Sequence, residues 1–362
     1  MRLIRAGLIA LGLAACSPSD AGHGLDAALL VGDLATRGYF LANWADPPRK
    51  EARQGADRYR GRSARAGIVL VPGLHTQGKD EANLVRLAET LARLGFVVHV
   101  PDLQNVRALR ASAEDVGGIV KAVADLAADL PAGMPIGIAG VSYAAGPAVL
   151  AALDPLVATR VDFIFALGGY YDLNAVVAYF TTGQFRDEGG AWREGRPNVY
   201  GRWLFVRANA ARLAEARDRE VLEAIGLAKL RDPSAPIDHL VAELGPQGKS
   251  VMALLDNHDP AIVPALIAAL PPGFGADFAA LTLLGKPLSQ LRAHVVLLHG
   301  KDDSIVPYTE SRALAAALSS RQVSLHIAER LAHVDFDPKD WRDALAVWRA
   351  AFDLMRRRGP AA

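Results

Sequence analysis

From residue 67 onward, short and mostly apolar runs alternate with stretches of helical spacing, and that alternation limits the fold more than any other feature. Residues 68–71, 96–100, 136–141, 161–167, 294–298 and 323–327 read as strands, several of them closed by Gly or Pro. Between them lie helical faces, such as Leu84, Leu87, Ala88, Leu91 and Leu94, or Val116, Ile119, Val120, Val123, Leu126 and Leu130. Residues 143–153 and 340–355 carry the same spacing. A strand that is apolar on both sides is covered on both sides. The pattern therefore predicts an α/β architecture, a mostly parallel central sheet with helices on both faces.

The rhythm breaks between Asp172 and Leu291. That stretch offers helical segments at 199–218, 219–230, 237–244 and 260–270 and no good strand, and it is too long for a loop. It predicts a helical cap, residues 174–290, inserted between a first core segment, 25–173, and a second, 291–362. Lys plus Arg number 40 against 39 Asp plus Glu, a formal +1 that gives no electrostatic footprint for nucleic acid. With one cysteine, Cys16, the chain has no disulfide framework and no Cys-clustered metal site. The histidines are scattered, and neither H-E-x-x-H, G-x-G-x-x-G nor a P-loop appears, so no metal and no cofactor is expected.

The first residues read as an address. Arg2 and Arg5 precede an unbroken apolar run, residues 6–15, and Cys16 follows at once. Ten residues of helix rise only ~15 Å, half of a bilayer core, so the run predicts a signal peptide, 1–15, and not a spanning helix. Leu13-Ala14-Ala15-Cys16 resembles the bacterial lipoprotein box, which implies cleavage before Cys16 and lipidation of its thiol. Residues 16–24 have the composition of a tether. Ser17 favours the outer membrane by resemblance to the sorting pattern of enteric bacteria. The expected location is the cell envelope, with a lipid anchor in the membrane and the folded body outside the cytoplasm.

Gly140-Val141-Ser142-Tyr143-Ala144 stands where a strand gives way to a helix, at the end of the sheet where ligands collect. It resembles the nucleophile elbow of the α/β-hydrolase family, G-x-S-x-G, with Ala144 in place of the last glycine. His299-Gly300-Lys301-Asp302-Asp303-Ser304-Ile305-Val306-Pro307 is similar to the H-G-x-x-D-x-x-V-P segment of that family, in the register that puts the acid on Asp303. His333 lies in the loop after the next strand, where the family carries its histidine, and the order Ser, Asp, His is the family's order. The resemblance implies that Ser142 is the nucleophile, that His333 moves the proton and that Asp303 orients the imidazole. It also implies an oxyanion hole made by the backbone N–H of Tyr143 and that of Leu74, in Pro72-Gly73-Leu74-His75. Because Pro72 replaces the histidine usual in the family's H-G pair, His75 stays open as the second donor.

Rivals exist for each role. Asp302 adjoins Asp303, and Asp172 follows a strand at the same end of the sheet, where its ordinary reading is a helix cap. His299 and His326 fall in or beside strands and read as structural, while His239 and His258 belong to the cap. Asp80 and Glu81 read as a cap for the helix that follows. The segments 72–80 and 168–173 look similar to bacterial members near the dienelactone-hydrolase branch, but the cysteine nucleophile of dienelactone hydrolases is absent. The expected partner is a small ester or acyl substrate, for which the apolar stretch 251–284 offers either an acyl-chain surface or plain helix packing. A serine acyltransferase or peptidase is a variant of this reading. A binding lipoprotein on a lapsed hydrolase fold is the alternative from another class.

Overall fold

The computed structural model describes residues 18–332 and 341–359. The expected signal peptide, Cys16 and His333 lie outside the described residues. The sheet has eight strands: β1 (Arg49–Arg53), β2 (Ala56–Arg60), β3 (Ala66–Val71), β4 (Phe96–Pro101), β5 (Ile136–Val141), β6 (Phe163–Leu167), β9 (His294–Gly300) and β10 (Val323–Ala328). Between β6 and β9 the chain forms a separate hairpin, β7 (Gln184–Arg186) and β8 (Trp192–Glu194). The spatial order is β1-β2-β4-β3-β5-β6-β9-β10. β1, β2 and β4 pair antiparallel, and every other neighbour is parallel. β3 and β4 are buried along their whole length, β3 as its unbroken apolar sequence requires and β4 with His99 as the one ionisable side chain in its apolar run.

Helices of nine or more residues are α1 (Pro18–Ala35), α2 (Ala82–Arg93), α3 (Glu114–Ala128), α4 (Ala145–Leu153), α5 (Leu173–Thr182), α6 (Val199–Asn209), α7 (Ala216–Arg231), α8 (Pro246–Leu255), α9 (Pro272–Leu281), α10 (Thr309–Ala317) and α11 (Trp341–Met355). One core layer packs α3, α4 and α10 on the sheet through Ile119, Val123, Ala148 and Leu314. The other packs α1, α2 and α11 through Val31, Leu91 and Ala351. Glu81 caps α2 by accepting the N–H groups of Asn83 and Leu84, whereas Asp80 pairs with Lys79 and Arg107.

Two expectations need correction, and two strands are added that the sequence pattern did not show. Residues 18–24, expected as tether, are the first turns of α1. Gly24, Ala27, Ala28, Leu30 and Val31 turn inward at helical spacing, and the Trp348 indole donates to the Gly24 carbonyl at 3.1 Å. Small residues that look like a linker in isolation fold because a docked neighbour supplies the burial. β1 and β2 carry too many charges to read as strands. β1 is an exposed edge, and β2 buries Arg58 by pairing it with Asp129 and setting it against His99. The cap, expected to be helical throughout, contains the β7–β8 hairpin, whose turn is tied by the Asp187 carboxylate to the N–H groups of Gly189 and Ala191.

The cap has a core of its own, built from Trp203, Val206, Leu222, Ile225, Met252, Leu255, Val263 and Phe274. Most of the apolar surface of 251–284 is consumed there, while Leu281 and Leu283 join the main core. The remaining apolar hollow inside the cap, lined by Phe205, Leu222, Leu254 and Phe278, holds about 80 Å³. The chain enters and leaves the cap at one neck. The N–H groups of Leu283 and Leu284 both donate to the Tyr171 carbonyl, at 2.9 and 3.0 Å, and the Tyr170 hydroxyl donates to the Leu281 carbonyl.

Candidate active site

β5 ends at Val141, and the chain turns at once into the helical segment that continues as α4. Ser142 holds φ 55°, in the left-handed region that a residue with a Cβ occupies at roughly 1–2 kcal/mol. The turn is held by what crowds it. A Cβ on Gly140 would stand 2.6 Å from the Ala144 carbonyl oxygen and 2.8 Å from the Ala145 Cα, so only glycine lets strand and helix approach this closely. Ala144 is buried with φ −67°, ordinary right-handed helix, and for that backbone the family's last glycine is dispensable.

The loop after β3 lies against this turn. A Cβ on Gly73 would come within 3.1 Å of the Val141 carbonyl oxygen and 3.6 Å of the Ser142 Cβ. Leu74 is half-buried against the core. His75 is exposed, and its Nδ1 accepts from the Gln77 N–H at 3.2 Å. Tyr143 is anchored from the opposite side. Its hydroxyl lies 2.9 Å from an Asp115 carboxyl oxygen and 3.0 Å from the Ser112 carbonyl, and it accepts the Ser112 N–H. Burial pushes the Asp115 carboxyl up to about 6 and the Tyr143 phenol upward as well. Asp115 and Ser112 thus fix the residue whose N–H is the expected oxyanion donor. The sequence offered no signal for them, since an acid in the first turn of α3 has an ordinary reading as a helix-dipole charge.

Asp303, 2% exposed, sits in the loop after β9. One carboxyl oxygen accepts the N–H groups of Ile305 and Val306, at 2.8 and 2.9 Å. The other lies 3.3 Å from Nε2 of the buried His299. That same Nε2 is 3.0 Å from the Val306 carbonyl, which can only accept, so Nε2 carries the proton and Nδ1 accepts from the Ser311 hydroxyl at 2.7 Å. The segment leading to His333 arrives beside this loop. Gly300 and the Leu331 carbonyl are packed so closely that any side chain at 300 would overlap it.

The rivals are placed elsewhere. Asp302 is exposed. Asp172 caps α5 through the Asn174 N–H. His326 pairs with Asp353 at 2.8 Å, and His239 and His258 are exposed on the cap. Ser142 and Asp303 stand at the carboxyl ends of β5 and β9, with β6 between them. Two strand spacings, about 10 Å, separate those strands. The cap reaches the acid loop directly: the Tyr179 hydroxyl donates to the Asp303 carbonyl at 3.0 Å and the Asn198 N–H to the Ser304 carbonyl at 2.8 Å. Among the described residues no group of His, Cys, Asp and Glu is arranged to hold a metal ion. An open hollow of about 720 Å³ between the cap and α10 is lined by Asp172, Phe185, Trp192, Glu310 and Arg312, but by neither Ser142 nor Asp303.

Glu310 lies under the cap's neck, where one carboxyl oxygen accepts the N–H groups of Tyr171 and Asp172 at 3.0 and 2.7 Å. Burial pushes its pKa from 4.5 up to about 7, against the pull of those two donors. Between these values the folded chain holds a proton that the unfolded chain has lost. The group's contribution to stability is therefore full below about pH 4.5 and drains away as the pH rises through about 7. Glu310→Gln should gain stability relative to the parent chain over that interval, by on the order of 2–3 kcal/mol in urea unfolding. An equal difference at both ends of the interval would refute the assignment.

Comparison with protein-family models finds no match, and comparison with curated proteins finds none. Among solved structures, the acylaminoacyl peptidase of Pyrococcus horikoshii superposes with a TM-score of 0.48 at 13% identity, over 87% of this chain and 42% of that one. The present chain thus spans less than half the length of that relative. A soluble variant of monoglyceride lipase from Saccharomyces cerevisiae gives 0.47 at 12% identity, over 88% of this chain and 98% of that one. Alpha/beta hydrolase domain-containing protein 10 from mouse gives 0.45 at 16%, over 86% and 99%. The strand order, the two antiparallel strands at one edge and the strained serine after β5 are the features that identify the fold.

Proposed function

We infer that this chain, whose fold is that of the α/β-hydrolases, is a serine hydrolase that cleaves carboxylic esters or related acyl bonds. The observation that carries the reading is Ser142, held at positive φ on the turn between β5 and the helical segment that continues as α4. Backbone strain of this kind persists where the surroundings over-determine it, and here Gly140 and Gly73 do so. Its hydroxyl is a poor nucleophile alone. His333 is the proposed base, taking the proton as the oxygen attacks the carbonyl carbon and returning it to the leaving alcohol. Water then repeats the sequence on the acyl-serine, releasing the acid. Asp303, pinned by two backbone N–H groups, orients the imidazole and offsets its positive charge. The N–H of Tyr143, with that of Leu74 or His75, faces the developing oxyanion.

A fluorophosphonate should label the folded chain at Ser142, found by peptide mapping, and p-nitrophenyl esters of rising chain length should be turned over. Failure of a correctly folded chain to take the label would remove the reading and leave the binding-lipoprotein alternative. Cys16 is the proposed site of lipid attachment, with the body in the cell envelope on the outer membrane and a small, apolar ester as substrate. Cys16→Ser should release the chain from the membrane fraction, and unchanged association would exclude attachment there. No single helix among the described residues is long and apolar enough to cross a membrane.

A further inference from the structure

A helix on the surface of a globular domain normally turns its apolar side inward and its charges to water. α1 turns Ala27, Leu30 and Val31 inward as expected but does not send its acidic residues to water. Its three acidic residues all face the body. Asp20 pairs with Arg356, Asp26 with Arg65 and Arg358, and the buried Asp33 accepts the Leu41 N–H at 2.7 Å and the Thr90 hydroxyl. The exposed positions on the outer side of α1 are Ser19, Ala21, Gly22 and Leu25, with Thr36 just past its end, and none of them is charged; Leu29 and Gly32 beside them are half-buried. Leu25 is 54% exposed. The stripe continues past the helix, where the Phe40 ring covers Gly32 and Tyr39 and Trp44 stand out at 68% and 78% exposure. Exposed Arg37 and the Arg86 side chain, which lies on Gly38, border that end.

We propose that this outer face of α1, with Tyr39 and Trp44, lies flat on a lipid bilayer bearing anionic headgroups. Three features select lipid as the occupant. In the sequence only Ser17 separates Cys16 from the first residue of the helix, so a lipid on that thiol would keep the start of α1 close to the membrane. Trp and Tyr are the side chains that settle at the headgroup level. Arg37 and Arg86 supply the attraction to anionic lipid. The proposal rests in part on Cys16 as the attachment point. It goes beyond that reading by fixing which side of the body meets the membrane: the side opposite the layer of α3, α4 and α10.

The test uses the full chain, isolated from the membranes of a bacterial host and reconstituted into phosphatidylethanolamine–phosphatidylglycerol vesicles with brominated acyl chains. Tryptophan emission should be quenched, and Trp44→Phe should remove the quenched component. Leu25→Glu should shift the balance away from the docked orientation about tenfold, read as lost quenching, while circular dichroism and hydrolysis of a soluble ester stay unchanged. If Trp44 on vesicle-bound protein is as open to acrylamide as in lipid-free solution, the proposal falls while the anchor stands. If Trp44 is shielded without lipid, increasingly so at higher protein concentration, the occupant is a second copy and the proposal also falls. Cys16→Ser separates the two readings. Undiminished association of that variant, with Trp44 still quenched, sinks the lipid attachment and upholds the docked face.

Discussion

Ser142→Gly is expected to unfold at higher urea than the parent chain while hydrolysing essentially nothing. The loss of turnover should be on the order of 10⁶, the scale seen when the nucleophile of a serine triad is removed. The gain in stability has a separate cause. Ser142 holds φ 55°, and glycine occupies that region without the steric penalty of a Cβ, recovering roughly 1–2 kcal/mol. Glycine also loses more freedom on folding, about 0.5–1 kcal/mol, so the net gain should lie between nothing and about 1.5 kcal/mol. Ser142→Ala is the control, because alanine keeps the Cβ and hence the strain. It should be as inactive as the glycine variant and no more stable than the parent. Residual turnover near the parent value in either variant would remove Ser142 from the chemistry. Equal stabilities for the glycine and alanine variants would mean that the turn stores no strain.

Asp303→Asn should lower kcat/KM by about 10⁴, the scale of an imidazole left in the wrong tautomer. Asparagine keeps one carbonyl oxygen, and that atom can go on accepting the Ile305 and Val306 N–H groups that shape the loop. Its amide nitrogen must then face the His299 Nε2, whose proton is already directed at Val306. Two donors would meet where a donor and an acceptor now stand, so some stability is lost as well, about 1–3 kcal/mol. Asp302→Asn, on an exposed carboxylate, should change neither quantity. Asp172→Ala should lose about 1 kcal/mol as a helix cap and leave turnover intact. A parent-like rate for the Asp303 variant, with a collapse for one of the other two, would transfer the acid's role.

The parallel body of the sheet was legible because burial on both faces writes itself into a strand as an unbroken apolar run. β5 runs over 136–141 in the sequence pattern and in the structure alike. β1 and β2 left no such trace. Their stability comes from pairing at an edge and from Arg58 meeting Asp129 across about seventy residues of sequence, and no local window contains that information. The same applies to α1, whose first turns read as a tether until Trp348 and Arg356 are seen to hold them. At the candidate site, the motif around Ser142 marked a strand-to-helix turn, and the turn is there, because one that tight constrains its own neighbours. The clamp of Ser112 and Asp115 on Tyr143 stayed invisible, since it is made by side chains whose local roles are already ordinary.

The neck of the cap bears on how the chain reaches its fold. β6 and β9 are adjacent parallel strands, yet more than a hundred residues separate them along the chain. Closing so long a loop from the unfolded state carries an entropic penalty that grows with the logarithm of its length, and contacts of that span slow folding. The cap assembles around its own core and ends with Leu283 bonded back to Tyr171. Once it has formed, the two strands are joined through the Tyr171–Leu283 bond by four residues on one side and eleven on the other, and their pairing becomes a far more local event. The insertion thereby turns the most distant junction of the sheet into a short one, and the acid loop that follows β9 comes to stand with only β6 between it and the strand of the nucleophile, without a long search.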